Sequence, residues 1–485
     1  MILKGITTLA LTGMMLASYA GKAQVRPNIV FILADDLGYG DLGAYGQTKI
    51  KTPNIDRLAK QGMLFTRFYA GTSVCAPSRS ALLTGQHSGH TYIRGNKEIA
   101  PEGQEPLPDT AQSYAQLLQK AGYTTGAFGK WGLGMVGTTG APDKKGFDVF
   151  FGYNCQRQSH RYYPTHLWSN NEKVTLTGND LTAKKIYAPA LIQEKTLAFI
   201  EGSKNKPFFL FVPTTLPHAE LQGPDDEYYK QYENSFEEHP YKGADYGPGA
   251  QPGGYASVAK PRATYAAMVS RMDAYVGQIL DKLDALGLTD NTIVIFSSDN
   301  GAHREGGADP EFFNSSGGLR GYKRDLYEGG IKTSFIVKWP GKVKPNSKSD
   351  FIGAFWDLMP TLTDIAGAPR PAYTDGISFL PTLLGKGNQP QHKYLYWEFH
   401  ESGGRQALRM GKWKGVKLNV IKDKNAPLEL YDLSNDPAEQ HNIAAAHKDI
   451  VQQMNSYIKS EHIESEVFPL TGKQKRRKTR QPLHR

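Results

Sequence analysis

The chain alternates long apolar runs with helix-patterned stretches over most of its length. From Asn28 the segment NIVFILADD is a continuous apolar run that follows Pro27 and stops at two carboxylates, the pattern of a strand buried on both faces of a parallel sheet. Further apolar runs at 123–128, 207–212 and 292–297 follow helical patterns: SYAQLLQKAG, LIQEKTLAFI and the long stretch from Arg262 to Leu286. With another run at 331–339, this alternation predicts an α/β fold, a large mixed, mainly parallel sheet sandwiched by helices. After the helical segment WDLMPTLTDIAG come shorter strands, YLYWEFH, KWKGVKLNV and LELYDL, and a last helix from about Ala444 to Ile458. They predict a smaller C-terminal antiparallel sheet plus helix, beginning near Pro369. Between Gln222 and Pro261 the pattern gives way to Gly, Pro, Tyr and charge, which predicts a long surface loop near a site.

The ends read differently from the body. Lys4, the apolar run from Ile6 to Ala17 and the small residues Gly21 and Ala23 form an export signal over residues 1–23. The run is too short to span a membrane, and no later segment is long enough. The organisation expected is a signal at 1–23, a catalytic α/β domain at 24–368, a C-terminal subdomain at 369–472 and a basic tail at 473–485. An exported, periplasmic or secreted protein follows.

The net charge of +10 over 485 residues suggests nucleic acid until it is located. Lys4, Lys22 and the seven Lys and Arg residues of the tail carry most of it, leaving the body at about +1, with the excess in a solvated tail. Nucleic-acid binding is not expected. Only Cys75 and Cys155 are present, which rules out a disulfide framework and a Cys-rich zinc module.

Asp35 and Asp36 fall at the carboxyl end of the first strand, where open α/β sheets place ligands. Asp299 and Asn300 follow TIVIFSSDNG in the same way. Adjacent carboxylates are relieved by a cation or a proton, and an oxygen-only set favours Ca²⁺ or Mg²⁺ over zinc. Taken alone, the two acidic strand ends also read as plain turns.

The segment VCAPSRSALLTG, from Val74 to Gly85, places Cys75 ahead of Pro77, Ser78 and Arg79. Pro77 suits the first turn of a helix, whose free N–H groups would face an anion near Cys75, and Arg79 adds a guanidinium fork suited to sulfate. This segment resembles the type I sulfatase signature, CxPSR, of the alkaline-phosphatase superfamily. Four further segments resemble that family in order along the chain: GKWGLG with Lys130, TLPH with His218, GYKRDLYEGG with Lys323, and the closing YDLSNDPAEQHNI.

The resemblance implies that a separate maturation enzyme oxidises Cys75 to formylglycine, whose hydrate attacks the sulfur of a sulfate ester. It implies a metal on Asp35, Asp36, Cys75, Asp299 and Asn300, calcium rather than magnesium. Arg79, Lys130 and Lys323 would bind the sulfate charge, and His218 would assist the leaving alkoxide. One departure stands out: many sulfatases carry His after GKW, where this chain has Gly132. His303, in DNGAHREGG, is the nearest candidate in sequence to replace it.

For the substrate, CQRQSHRYYPTHLW supplies His160, Arg161 and His166, and WEFHESGGRQ supplies Trp397, Glu398, His400 and Arg405. Aromatic faces with hydrogen-bonding groups suit sugars, although strand and loop packing uses the same residues. Similar sulfatases of glycan-degrading bacteria act on sulfated galactose or N-acetylgalactosamine. The expectation is a sulfatase of carbohydrate sulfates, resembling bacterial arylsulfatases and N-acetylgalactosamine sulfatases. Two alternatives stand beside it: a phosphodiesterase or phosphonate hydrolase of the same superfamily, and a catalytically silent glycan-binding protein.

Overall fold

The computed structural model describes residues 26–244 and 254–470. The segment 1–23 expected to be an export signal, the basic tail from Lys473 and the segment 245–253 lie outside them. An eleven-stranded sheet runs through the main body. Its labelled strands are β1 (Asn28–Ala34), β2 (Met63–Tyr69), β3 (Thr124–Lys130), β4 (Val149–Tyr153), β5 (His166–Ser169), β6 (Glu172–Thr175), β7 (Phe208–Pro213), β8 (Thr292–Ser298), β9 (Lys332–Lys338) and β10 (Ser347–Ser349). They lie in the order β10-β2-β9-β8-β1-β7-β3-β4-β5-β6, and the two-residue strand Gly353–Ala354 also pairs with β2. The centre from β8 to β4 is parallel. Towards the edges β8, β9 and β2 pair antiparallel, as do β4, β5 and β6.

Alternation along β1 feeds two cores. Helices α1 (Pro53–Lys60), α2 (Cys75–Thr84), α3 (Tyr114–Lys120), α4 (Ala188–Ser203) and α5 (Pro261–Ala285) divide between the two faces: Val30 and Ile32 point into one with Leu210, Val294 and Phe296, covered by α1, α4 and α5. Ile29, Phe31 and Leu33 point into the other with Phe209, Ile293 and Ile295, covered by α2, α3 and α6 (Leu358–Ala366). Burial on both faces is why the run carries no polar residue between Asn28 and Asp35. At the start of α3 the Ser113 hydroxyl and the Gln116 side chain form a capping box.

The second sheet joins β11 (Leu395–Phe399), β12 (Arg405–Met410), β13 (Trp413–Leu418) and β14 (Leu428–Asp432) in that antiparallel order. One face, with Tyr396, Leu408 and Leu430, packs on Met454 and Ile458 of α7 (Lys448–Glu461). The last helix therefore starts at Lys448, after a 3-10 turn at Ala444–Ala446, rather than at Ala444. The other face puts Trp397, Phe399 and Val416 against Tyr69 and Trp356 of the main body, and the Trp397 indole donates to the Ala70 carbonyl at 3.0 Å.

This covering of both faces corrects two expectations. Trp397 and Glu398 are each 0% exposed, so neither offers a surface to a sugar. Glu398 accepts from Arg94 Nη1 at 2.9 Å and Tyr396 OH at 2.8 Å, and faces His400 Nε2 at 2.7 Å and His462 Nδ1 at 2.8 Å. Burial alone would push its carboxyl up, but hydrogen bonds from His400 and His462 and the charge of Arg94 hold it well below the ordinary range. Glu398→Ala leaves Arg94 as an unpaired buried cation, and we expect it to cost about 3–5 kcal/mol of stability, read as a lowered midpoint in denaturant unfolding.

The stretch from Gln222 is packed rather than free where it is described. Leu221 and Tyr232 enter the core, Asp226 caps the turn Glu227–Lys230 and pairs with Arg271, and Tyr241 bridges to Val258. Among the described residues no helix is long and apolar enough to cross a membrane.

Candidate active site

Register brings the acidic pairs together. Ala34 lies opposite Ser298 in the β1–β8 ladder, so the two strands end side by side, with Asp299 N bonded to the Ala34 carbonyl at 3.1 Å and Asp36 N to Asp299 Oδ1 at 3.0 Å. Asp36 sits at φ +60°, a conformation uncommon outside glycine that turns the second carboxylate relative to the first. Asp35, Asp36, Asp299 and Asn300 are all 0% exposed. Asn300 donates to Asp36 Oδ1 at 2.7 Å, while its own Oδ1 is buried and without a partner.

Helix α2 delivers Cys75. Val74 is the extended N-cap residue, Cys75 opens the helix and Pro77 stands in its first turn, where a missing N–H costs nothing. The thiol lies 3.3 Å from Asp35 Oδ1 and 3.7 Å from Asp36 Oδ1. Burial, followed by the charge of Asp35, pushes that thiol well above its ordinary range. The rest of the motif locks the helix to the strand ends. The Ser78 hydroxyl donates to the Asp299 carbonyl at 2.5 Å, and Arg79 Nε donates to Asp299 Oδ2 at 2.9 Å and Nη1 to the Lys130 carbonyl at 2.7 Å.

Cations close the site. Lys130, the last residue of β3, reaches Asp35 Oδ2 at 2.7 Å, and Lys323 reaches Asp36 Oδ2 at 2.8 Å. Burial would raise Asp35, but the neighbouring Lys130 holds it below the ordinary carboxylate range. Asp299 goes the other way, to about 7, because burial and the charge of Asp35 outweigh Arg79. Donor atoms of Asp35, Asp36, Cys75 and His218 lie within 4.8 Å of one another, and with the buried, unpartnered Asn300 oxygen they would fit a hard divalent ion; Asp299 stands beside them with its oxygens on Asp36 N and Arg79.

His218 stands over this group with Nε2 at 3.2 Å from Asp36 Oδ2 and 3.0 Å from Lys323 Nζ. Its Nδ1 donates to the Ala219 carbonyl, so the neutral ring presents the Nε2 lone pair to the lysine. Burial, then the charge of Lys323, lowers its pKa to about 4. His160 stacks on it at 4.6 Å between centroids, and His303 lies on its other side at 5.6 Å. His303 itself faces the Pro217 carbonyl with Nε2 at 3.3 Å and accepts from Glu305 N at 3.2 Å.

The structure brings together Cys75, Arg79, Lys130, His218, Lys323 and the four oxygen ligands, with His160 and His303 flanking. It does not gather the remaining substrate candidates into one surface. Arg161 pairs with Glu220, His166 with Glu102 at 2.7 Å, and Arg405 with Asp325. Glu305, which the sequence reading missed, accepts from Lys323 at 2.8 Å and pairs with Arg324. It lies in a glycine-rich turn with no hydrophobic period to place it.

A buried thiol at a helix N-terminus, an acidic group able to hold a divalent ion and the buried cations Arg79, Lys130 and Lys323 suit a hydrolase of anionic esters. The Sulfatase family model matches residues 27–368, and that of the N-sulphoglucosamine sulphohydrolase C-terminal region matches residues 320–464. The chain belongs to the sulfatase family and is a sulfuric ester hydrolase. It is 32% identical over 540 residues to the N-acetylgalactosamine-6-O-sulfatase of Bacteroides thetaiotaomicron, covering 95% of this chain and 98% of the relative. With human arylsulfatase A it shares 33% over 477 residues, 91% of this chain and 89% of the relative. Among solved structures, Ps i-CgsB superposes with a TM-score of 0.74 at 28% identity, over 90% of this chain and 94% of that one.

Proposed function

We propose that this chain is an exported sulfatase that releases sulfate from a sulfated galactose or N-acetylgalactosamine unit, with Ca²⁺ at the acidic site and formylglycine at position 75. The observation that carries the reading is the placement of Cys75 Sγ within 3.3 and 3.7 Å of two metal-ligand carboxylates, inside a ring of Arg79, Lys130 and Lys323. The Sγ position stands for the hydroxyl oxygens of the hydrated aldehyde. The relative that acts on N-acetylgalactosamine 6-sulfate, aligned over nearly the whole chain, supports the sugar. The catalytic domain is taken as 24–368 and the C-terminal subdomain as 369–472, with maturation by a formylglycine-generating enzyme and a periplasmic or secreted location.

Asp35, Asp36, Asp299 and Asn300 would hold a divalent cation, which would supply Lewis acidity at this site. The formylglycine hydrate would supply an oxygen nucleophile whose second hydroxyl can lose its proton and collapse to the aldehyde as sulfate leaves, which a serine sulfate ester, with no second hydroxyl on its carbon, cannot do. The chain's own groups do the rest. Ala76 N is taken by Asn96 Oδ1 at 3.3 Å and Ser78 N by the Val74 carbonyl at 3.1 Å, and Pro77 has no N–H, so the start of α2 favours the anion through its dipole rather than through a row of free donors. Arg79, Lys130 and Lys323 are fixed by Asp299, Asp35 and Asp36, so they meet the redistributing charge with no reorganisation. His218 and Lys323, joined at 3.0 Å, hold a proton where the ester oxygen departs.

The test is sulfate release from 4- and 6-sulfated galactose and N-acetylgalactosamine beside the matched phosphate esters, using matured protein. Turnover of a sulfated sugar ahead of its phosphate counterpart is expected. Preference for the phosphates would overturn the reading in favour of a phosphate-ester hydrolase, and sugar binding without turnover would favour a silent binding protein.

A further inference from the structure

Three side-chain amides meet just beyond the ends of β3 and β4. Trp131 N donates to the Tyr153 carbonyl and Gly132 N to the Asn154 carbonyl, both at 3.0 Å, so the chain leaving Lys130 runs beside the chain leaving Tyr153. Gln156 follows, its backbone N bonded to Gln104 Oε1 at 3.3 Å. Gln156 is 3% exposed, Asn154 1% and Gln104 0%. Both carboxamide atoms of Gln156, Gln104 Nε2 and Asn154 Oδ1 have no hydrogen-bond partner. Native interiors leave few such atoms unpaired, and here four belong to three residues on two segments.

Gly132 accounts for the room. It adopts φ +78°, and a Cβ on it would stand 1.9 Å from Gln156 Nε2. Any side chain at 132 therefore displaces the Gln156 carboxamide, and the glycine is the clearance that admits it. The patch adjoins the sulfate site, because Lys130, two residues earlier, holds Asp35, whose other oxygen faces Cys75.

The chemistry of the patch differs from that of the sulfate site. Sulfate charge is met by Arg79, Lys130 and Lys323, whereas carboxamides are neutral and offer both donors and acceptors. That combination suits a group that both gives and takes hydrogen bonds, such as a sugar hydroxyl or an acetamido group. Resting on the carbohydrate-sulfatase reading, we infer that Gln156, Asn154 and Gln104 form a neutral subsite that holds a hydroxyl or acetamido group of the sulfated sugar beside the reacting ester, with Gln156 as its specificity-determining residue.

Gln156→Leu keeps the side-chain volume and removes both hydrogen-bonding atoms. The comparison is kcat/KM on the sulfated sugar against kcat/KM on 4-nitrophenyl sulfate, which carries sulfate but no sugar hydroxyls, together with the melting temperature. The ratio of sugar to aryl substrate should fall at least about tenfold, with Tm unchanged or raised, since an apolar replacement of an unpaired buried amide is neutral or stabilising. Gln156→Asn, which draws the carboxamide back by one carbon, should lower the same ratio. An unchanged ratio in both variants, or equal losses on both substrates with a lowered Tm, would overturn the subsite and leave the carbohydrate reading standing. Wild-type protein that hydrolyses the aryl ester but no sulfated sugar would overturn that reading and the subsite with it.

Discussion

Cys75→Ala abolishes sulfate release, by about 10⁴-fold or more, the scale of loss when a nucleophile is removed from a set of groups acting as a unit. The fold is expected to survive. Alanine is a good helix residue at the position Cys75 holds, and the hydrogen bonds recorded for the thiol run only to Asp35 and Asp36. The anchors of α2 come instead from Ser78 and Arg79. The check is sulfate release measured beside the unfolding midpoint. Loss of activity with an unchanged midpoint is predicted, and appreciable turnover by the alanine variant would remove Cys75 from the chemistry.

The second large effect belongs to His218. His218→Ala should slow hydrolysis of a sugar sulfate by about 10²–10⁴-fold, the usual worth of positioned proton transfer. The aryl ester should lose less, because a phenoxide leaves without a proton and a sugar alkoxide does not. Geometry makes the substitution informative: Lys323 retains its bonds to Asp36 and Glu305, so removing the ring takes away the proton path without unpairing the lysine. Equal losses on both esters would assign His218 to binding rather than to the leaving group.

Much of the site was legible because its strands are buried on both faces. NIVFILA before Asp35 and TIVIFSS before Asp299 each read as a continuous apolar run that ends in carboxylates, and the β1–β8 ladder sets those ends side by side. The signature around Cys75 was legible from residue types alone. Strand β2 was not, because MLFTRFY carries Thr66 and Arg67 at partly exposed positions near a sheet edge, and that breaks the run.

Trp397 and Glu398 misled for the opposite reason. An aromatic beside a carboxylate and a histidine looks like a sugar platform, and only the docking of the second sheet onto Tyr69 and Trp356 shows the pair to be interior. Gln156 gave no signal at all. Its significance arises from the clearance at Gly132, 24 residues earlier in the chain, which is a tertiary relation. The sequence departure at Gly132 pointed to His303 as a replacement, yet the side chain that occupies the space beside Gly132 is Gln156.

The measurement that bears most directly on the account is peptide mass spectrometry across Cys75, on protein produced with a competent formylglycine-generating enzyme. The account predicts an aldehyde in place of the thiol, together with release of sulfate by the same preparation. An unmodified thiol at Cys75, from a system that converts a control sulfatase, would contradict it.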